Sequence, residues 1–250
     1  MASAAREVKD FQTDTLVNYL VSMARTVEGA VNRAIAALLD RKSPHSATLV
    51  SEIFYNEPRI NEMEIVIDEQ AVKLLRGGML PERDVRLIVA TLRINNDLER
   101  MGDLAVNIGQ RVISLAEMKS AETPPEFEPM AAAVRAMVSK SLGALIFRNV
   151  ELANAVLRSD DAVDRFRDVV FERLLAEMAE KPCTIASNMQ FVLASRYLER
   201  IADHCTNIAE DVVFWVRGLE VRHGRGREME ERPEDAAAAE CFNPQMDSGF

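Results

Sequence analysis

Apolar residues recur at alternating three- and four-residue steps along most of this chain, the spacing of one face of a helix. Leu16, Leu20, Met23, Val27, Ala30, Ala34 and Leu38 predict a first helix from about Asp10 to Arg41. Ser43-Pro44 then supplies a capping hydroxyl followed by proline at a first helical position. Ile53, Ile60, Met63, Ile67, Ala71 and Leu74 carry a second helix from about His45 to Arg76, which Gly77-Gly78 ends. Pro81 and Asp84 open a third, continuing to about Lys119. Further helices are expected over about Pro129–Phe147, Leu152–Glu180 and Thr184–Val221, with Lys181-Pro182 breaking the last two apart. Gly224, Gly226, Pro233 and a charged, alanine-rich run suggest a disordered tail over residues 222–250.

The pattern repeats. Leu98-Glu99-Arg100, Asp103 and Asn107-Ile108 recur one hundred positions later as Leu198-Glu199-Arg200, Asp203 and Asn207-Ile208. Both copies lie late in a long helix, and the seam Leu87, Thr91, Ile94, Leu98, Met101, Ala105 has the counterpart Ser187, Phe191, Ala194, Leu198, Ile201, Cys205. Glu122-Thr123-Pro124-Pro125-Glu126 reads as the linker between halves. The expected fold is all-α: six long helices in two tandem, sequence-related three-helix bundles, residues 8–121 and 126–221.

Composition narrows the function classes. The 48% hydrophobic and 28% charged residues suit a soluble globular protein, and 6% aromatics with 10 Gly and 9 Pro favour helices over a sandwich. A net charge of −10 argues against nucleic-acid binding, which needs a basic surface, and favours metal ions or basic protein surfaces. The 3 cysteines show no CxxC spacing, so neither a disulfide framework nor a zinc ribbon is indicated. Apolar runs such as Ala34–Leu39 are too short to span a bilayer, and Met1–Asp10 lacks a signal-peptide core. The expectation is a cytoplasmic protein without membrane insertion.

Helical geometry places Glu99 and Asp103 on one face, one turn apart and roughly opposite the seam, and Glu199 and Asp203 likewise. These acids are therefore expected on the outer surface of each bundle, not inside it. Glu57, Asn61, Glu64 and Asp68 form a second stripe beside Ile53, Ile60 and Ile67, and Asp160 and Asp164 stand similarly before Val163 and Phe166. Antiparallel packing could bring each stripe to its ExxxD partner, giving oxygen donors suited to a hard or borderline cation. His204 is expected to be an ordinary surface histidine. A phosphate loop, a nucleophile elbow and an HExxH motif are all missing from the sequence. Acidic stripes are also unsuited to holding phosphate directly. The readings left open are a noncatalytic regulator, a metal-dependent enzyme (a carboxylate-bridged iron oxidase or a phosphohydrolase), and a helical scaffold with solvated acids.

Leu98–Asp103, Leu198–Asp203, Ile60-Asn61-Glu62-Met63-Glu64 and Ile67-Asp68-Glu69, taken in order, resemble the PhoU family. These are the accessory proteins of bacterial phosphate-specific transport. The resemblance covers about residues 10–221. It implies a cytoplasmic, often dimeric negative regulator of the phosphate-starvation response. Such a protein is expected to bridge the ATPase subunit of the phosphate ABC transporter and a membrane sensor histidine kinase. It further implies surface metal sites holding iron clusters or another divalent metal, manganese, magnesium or zinc. One would use Glu57 and Asn61 with Glu99 and Asp103; the other, Asp160 and Asp164 with Glu199 and Asp203. Because Asn61 brings no charge, the second is expected to bind metal more tightly.

Overall fold

In the computed structural model, residues 2–118 and 121–221 are described, with side chains from Thr13 onward. Helices α1 (Ala2–Leu39), α2 (Pro44–Arg76) and α3 (Glu82–Ala116) form the first bundle. Helices α4 (Phe127–Phe147), α5 (Val150–Leu157), α6 (Asp160–Glu180) and α7 (Ile185–Arg217) form the second, with a 3-10 turn at Pro182–Thr184. The expected boundaries follow local chemistry. Ser43 caps α2 by accepting from the His45 amide, with Pro44 at the first position, and Gly77 closes the helix. The expected disordered tail lies outside the described residues.

The fifth expected helix is divided. Its first part, α5, is capped by Asn149, whose side chain accepts from the Glu151 and Leu152 amides. At the break, the Ser159 hydroxyl donates to the Ala155 carbonyl at 2.7 Å while the Ser159 amide bonds Val156, a tighter turn that ends the helix. The sequence pattern missed this because apolar spacing continues across the break. Its consequence is that Asp160 and Asp161 occupy the first turn of α6, where the helix dipole favours carboxylates.

The same core register runs through both halves. Buried Val50, Ile53, Ile60, Ile67 and Ala71 recur as buried Ala153, Val156, Val163, Val170 and Leu174, a constant shift of 103 positions. Helices α3 and α7 instead correspond at a shift of 100. Gly102 allows α2 and α3 to close: a Cβ there would stand 3.2 Å from Ile60 Cδ1.

The two bundles share one continuous core, joined chiefly where α3 and α7 run antiparallel. Phe127 and Phe191 meet with ring centroids 5.6 Å apart, and the Arg41 guanidinium lies 5.5 Å from the Phe191 centroid. Arg41 also donates to the Ala121 carbonyl, tying the linker to the end of α1. By length and composition α4 could cross a membrane, contrary to the expectation that no stretch approaches that limit. Its apolar residues Met130, Val134, Met137 and Leu145 are buried in the bundle.

The seam between bundles corrects the reading of His204. The residue is buried, with Nδ1 at 2.8 Å from Asp97 Oδ1, and Asn207 donates to the same oxygen at 3.2 Å. An ionised carboxylate only accepts, so the imidazole nitrogen facing it is the donor. The expectation treated each bundle alone and counted this face of α7 as solvent-facing, whereas α3 covers it. Nearby, Arg93 reaches the fully buried Asp211 at 3.3 Å and Glu220 at 3.3 Å. Replacing Asp97 by Ala strands the buried imidazole N–H and should cost about 1–3 kcal/mol in denaturant unfolding. Asp97→Leu/His204→Leu should recover most of that loss. A double variant no more stable than the single would contradict this account.

Candidate metal centres

The carboxylates sit where α2 crosses α3 and where α6 crosses α7. Helices α3 and α7 each bury one face in their own bundle and another against each other, leaving a third for Asp103 and Asp203, both exposed. Glu99 and Glu199 lie at the edge of that face and are half-buried, as are Asp160 and Asp164. The outward placement expected for these acids holds for the aspartates. It is incomplete for the glutamates, whose side chains turn toward the neighbouring helix.

In the second bundle the four expected residues act on one another. Asp203 has its carboxyl pushed up to about 6, first by burial and then by Glu199, Asp160 and Asp164, with His204 opposing. Asp160 is likewise raised by burial, then by Asp164, Asp161 and Glu199. In the first bundle Glu99 is raised by burial, by Asp103 and by Glu64, with Arg100 opposing. Glu64 is raised by burial, Asp68 and Asp103.

Glu57 and Asn61 bond to each other, Nδ2 to Oε1, at 2.7 Å. The core register nevertheless sets Glu57 and Asn61 where Asp160 and Asp164 stand in the second bundle. The acid that couples to Glu99 and Asp103 is Glu64, the next member of the stripe. Two further side chains carry no motif that would flag them. Asn95, 1% exposed, donates from Nδ2 to Asp68 Oδ1 at 2.9 Å and to the Glu64 carbonyl at 3.0 Å. Arg167 reaches Glu199 Oε1 at 3.5 Å and Asp168 Oδ1 at 2.9 Å.

A cation suits this arrangement. The donors are carboxylate and amide oxygens, and the raised proton affinities of Glu64, Glu99, Asp160 and Asp203 reflect burial and like charges close by. Glu199 Oε2 and Asn95 Oδ1 are buried and accept no hydrogen bond from the protein. Among the described residues, no three Asp, Glu, His or Cys side chains already converge as a ligand set. A bound cation would therefore have to draw them inward by side-chain rotation.

The PhoU domain profile matches residues 20–112 and 127–212, one copy in each bundle. The chain belongs to the PhoU family. It is 35% identical over 221 residues to the "Phosphate-specific transport system accessory protein PhoU homolog" of Pseudomonas aeruginosa, covering 87% of this chain and 89% of that one. The Escherichia coli K12 accessory protein PhoU is 25% identical over 88% of this chain and 89% of its own length. The crystal structure of PhoU from Pseudomonas aeruginosa superposes with a TM-score of 0.78 at 33% identity, covering 84% of this chain and 99% of that one. The Streptococcus pneumoniae PhoU structure, at 22% identity, shares the fold with a TM-score of 0.76 over 85% of this chain and 99% of that one.

The raised carboxyl of Asp203 has a stability consequence. A carboxyl whose affinity for its proton is higher folded than unfolded makes the metal-free protein lose stability as pH rises from about 4 to about 6. Above that range the loss persists. Asp203→Asn should therefore raise the Tm of chelator-treated protein at pH 7 by about 1–2 °C, a small gain because the carboxyl is exposed and screened. The gain should vanish near pH 4. A lower Tm for the variant at pH 7 would contradict the like-charge account.

Proposed function

We propose that this PhoU-family chain is a noncatalytic cytoplasmic regulator that restrains phosphate uptake and the phosphate-starvation response when phosphate is plentiful. The observation that carries this reading is the PhoU domain in both halves, together with relatives named as accessory proteins of phosphate-specific transport. The chain acts as an adaptor, as a homodimer, between the ATPase subunit of the phosphate ABC transporter and a membrane sensor histidine kinase. The net charge of −10 favours basic patches on those partners. Regulation requires that the chain bind a partner differently in the phosphate-replete state, which is a population shift and not a chemical step.

In this reading the carboxylates are metal sites. Glu57, Asn61, Glu64, Glu99 and Asp103 would hold a divalent cation or iron cluster in the first bundle, and Asp160, Asp164, Glu199 and Asp203 in the second. The metal would supply positive charge that neutralises each stripe and fixes α2 to α3 and α6 to α7. Placement on outer faces suits a surface presented to a partner better than oxygen or phosphoester chemistry, which needs a dry enclosure.

The test is alkaline phosphatase reporter output in phosphate-rich medium from a strain of the source bacterium lacking this gene. Deletion should give high output, and the wild-type gene should restore low output. Complementation with Glu199→Ala/Asp203→Ala at matched expression should leave it high if the metal site is required. Output unchanged by deletion would remove the regulatory reading.

A further inference from the structure

We propose that residues 228–235 of this chain dock on the basic end of the groove between α3 and α7, as a strap over Arg111, Arg196 and Arg200. The argument starts from the repeat. On the outer side of the seam, Arg93, Asn96, Asp97 and Arg100 of α3 face Asn207 and Glu210 of α7 across an open groove of about 550 Å3. At the shift of 100 that relates α3 to α7, the opposite end of the same seam has a different composition. Asn96 corresponds to Arg196, Asp97 to Tyr197, Glu210 to Gln110 and Asp211 to Arg111, while Arg100 is matched by Arg200.

The two ends therefore differ in sign. The first sets Arg93 and Arg100 against Asp97, Glu210 and Asp211, and Glu220 adds a further acid at 3.3 Å from Arg93. The second holds three arginines, with tyrosine, glutamine or arginine at the positions of Asp97, Glu210 and Asp211. Arg196 and Arg200 are exposed and lie one turn apart on one face of α7. Arg111 is half-buried; its Nη1 donates to Gln190 Oε1 at 3.0 Å, and its Nε is buried without an acceptor among the described residues. None of the three arginines makes an ion pair among the described residues. The stripe carboxylates on the same helices are engaged away from the seam: Asp103 acts on Glu64 and Glu99, Asp203 is coupled to Asp160 and Asp164, and Glu199 reaches Arg167. In a chain of net charge −10, this end is a basic exception that attracts an anionic segment.

The chain supplies such a segment. It leaves α7 at the acid-rich end of the groove, where Glu220 holds Arg93. The residues that follow are first basic: Arg222, His223, Arg225 and Arg227. Residues 228–235 then bring Glu228, Glu230, Glu231, Glu234 and Asp235 against the single base Arg232. The order of signs along the segment, basic then acidic, complements the order along the groove, acid-rich then basic. The reach is sufficient. From Arg93 to Arg111 α3 rises about 27 Å, and residues 222–235 can span up to about 45 Å when extended. Tethering presents the acids at high local concentration, so ion pairs that are individually weak act together.

The test is the distance between two nitroxide labels on the full-length protein, read by pulsed electron paramagnetic resonance, with circular dichroism to show that each variant is folded. Cys183→Ser removes an exposed thiol, and Cys205 is buried. The labels are carried by Cys241 and by Met189→Cys, an exposed position two turns from Arg196. At low salt the otherwise unaltered chain should give a narrow distance population. Arg196→Glu/Arg200→Glu should abolish it, and so should replacing the five acids of residues 228–235 by Gln or Asn. Adding Glu230→Arg/Glu231→Arg to Arg196→Glu/Arg200→Glu should restore it. Salt on the order of 0.5 M should weaken it by screening. A distance distribution unmoved by these charge changes would overturn the inference. So would a narrow population that vanishes when labelled protein is diluted with unlabelled protein, which would put the segment on a second copy.

Discussion

Helices α3 and α7 each have to satisfy two packing surfaces at once. One apolar stripe closes the three-helix core of their own bundle. A second, of mixed character, closes the seam between bundles, and it is there that Asp97, His204, Asn207, Arg93 and Asp211 are found. With two of three faces committed, the remaining face is narrow and its edges are already shaded by α2 and α6. The ExxxD residues occupy that face. The half-burial of Glu99 and Glu199 therefore follows from the seam: a helix packed on one side only would have left both in open solvent.

The stripes then hold like charges together at a cost to the fold. Carboxylates gathered at a helix crossing repel one another, and partial burial strengthens the repulsion. Dense apolar packing absorbs this: Ile60 fills the space over Gly102, and Phe127 meets Phe191 near the linker. In the second half Arg167 stands against Glu199 at 3.5 Å.

Much of this was legible in the sequence, and the failures have identifiable causes. Ser43-Pro44, Gly77 and Lys181-Pro182 placed helix ends correctly because capping and proline act locally. The apolar seams located α3 and α7 because both are long and strongly periodic. The break at Ser159 was hidden because a side-chain hydrogen bond, not a change in hydrophobic spacing, makes it. His204 was misplaced because burial at the seam depends on a helix more than one hundred residues away. That Glu64 of the first half corresponds to Arg167 of the second was concealed by the repeat itself. At a uniform shift of 100, Glu64 aligns with Asp164 and the halves look alike; at the shift of 103 that holds for α2, α5 and α6, the signs oppose.

The Asp97–His204 contact also governs which halves recognise each other. Under the repeat, Asp97 corresponds to Tyr197 and His204 to Leu104, so the seam holds this pair on one side of its pseudo-twofold axis only. Two copies of the first half placed face to face would set Asp97 against Leu104, burying a carboxylate that keeps an amide donor from Asn107 and loses the imidazole. Two copies of the second would leave His204 against Tyr197 without an anion. Tandem fusion has thus turned what a single repeat would do by self-association into a lock and key within one polypeptide. A chain built this way is guarded against the pairing of like halves between copies during synthesis and assembly.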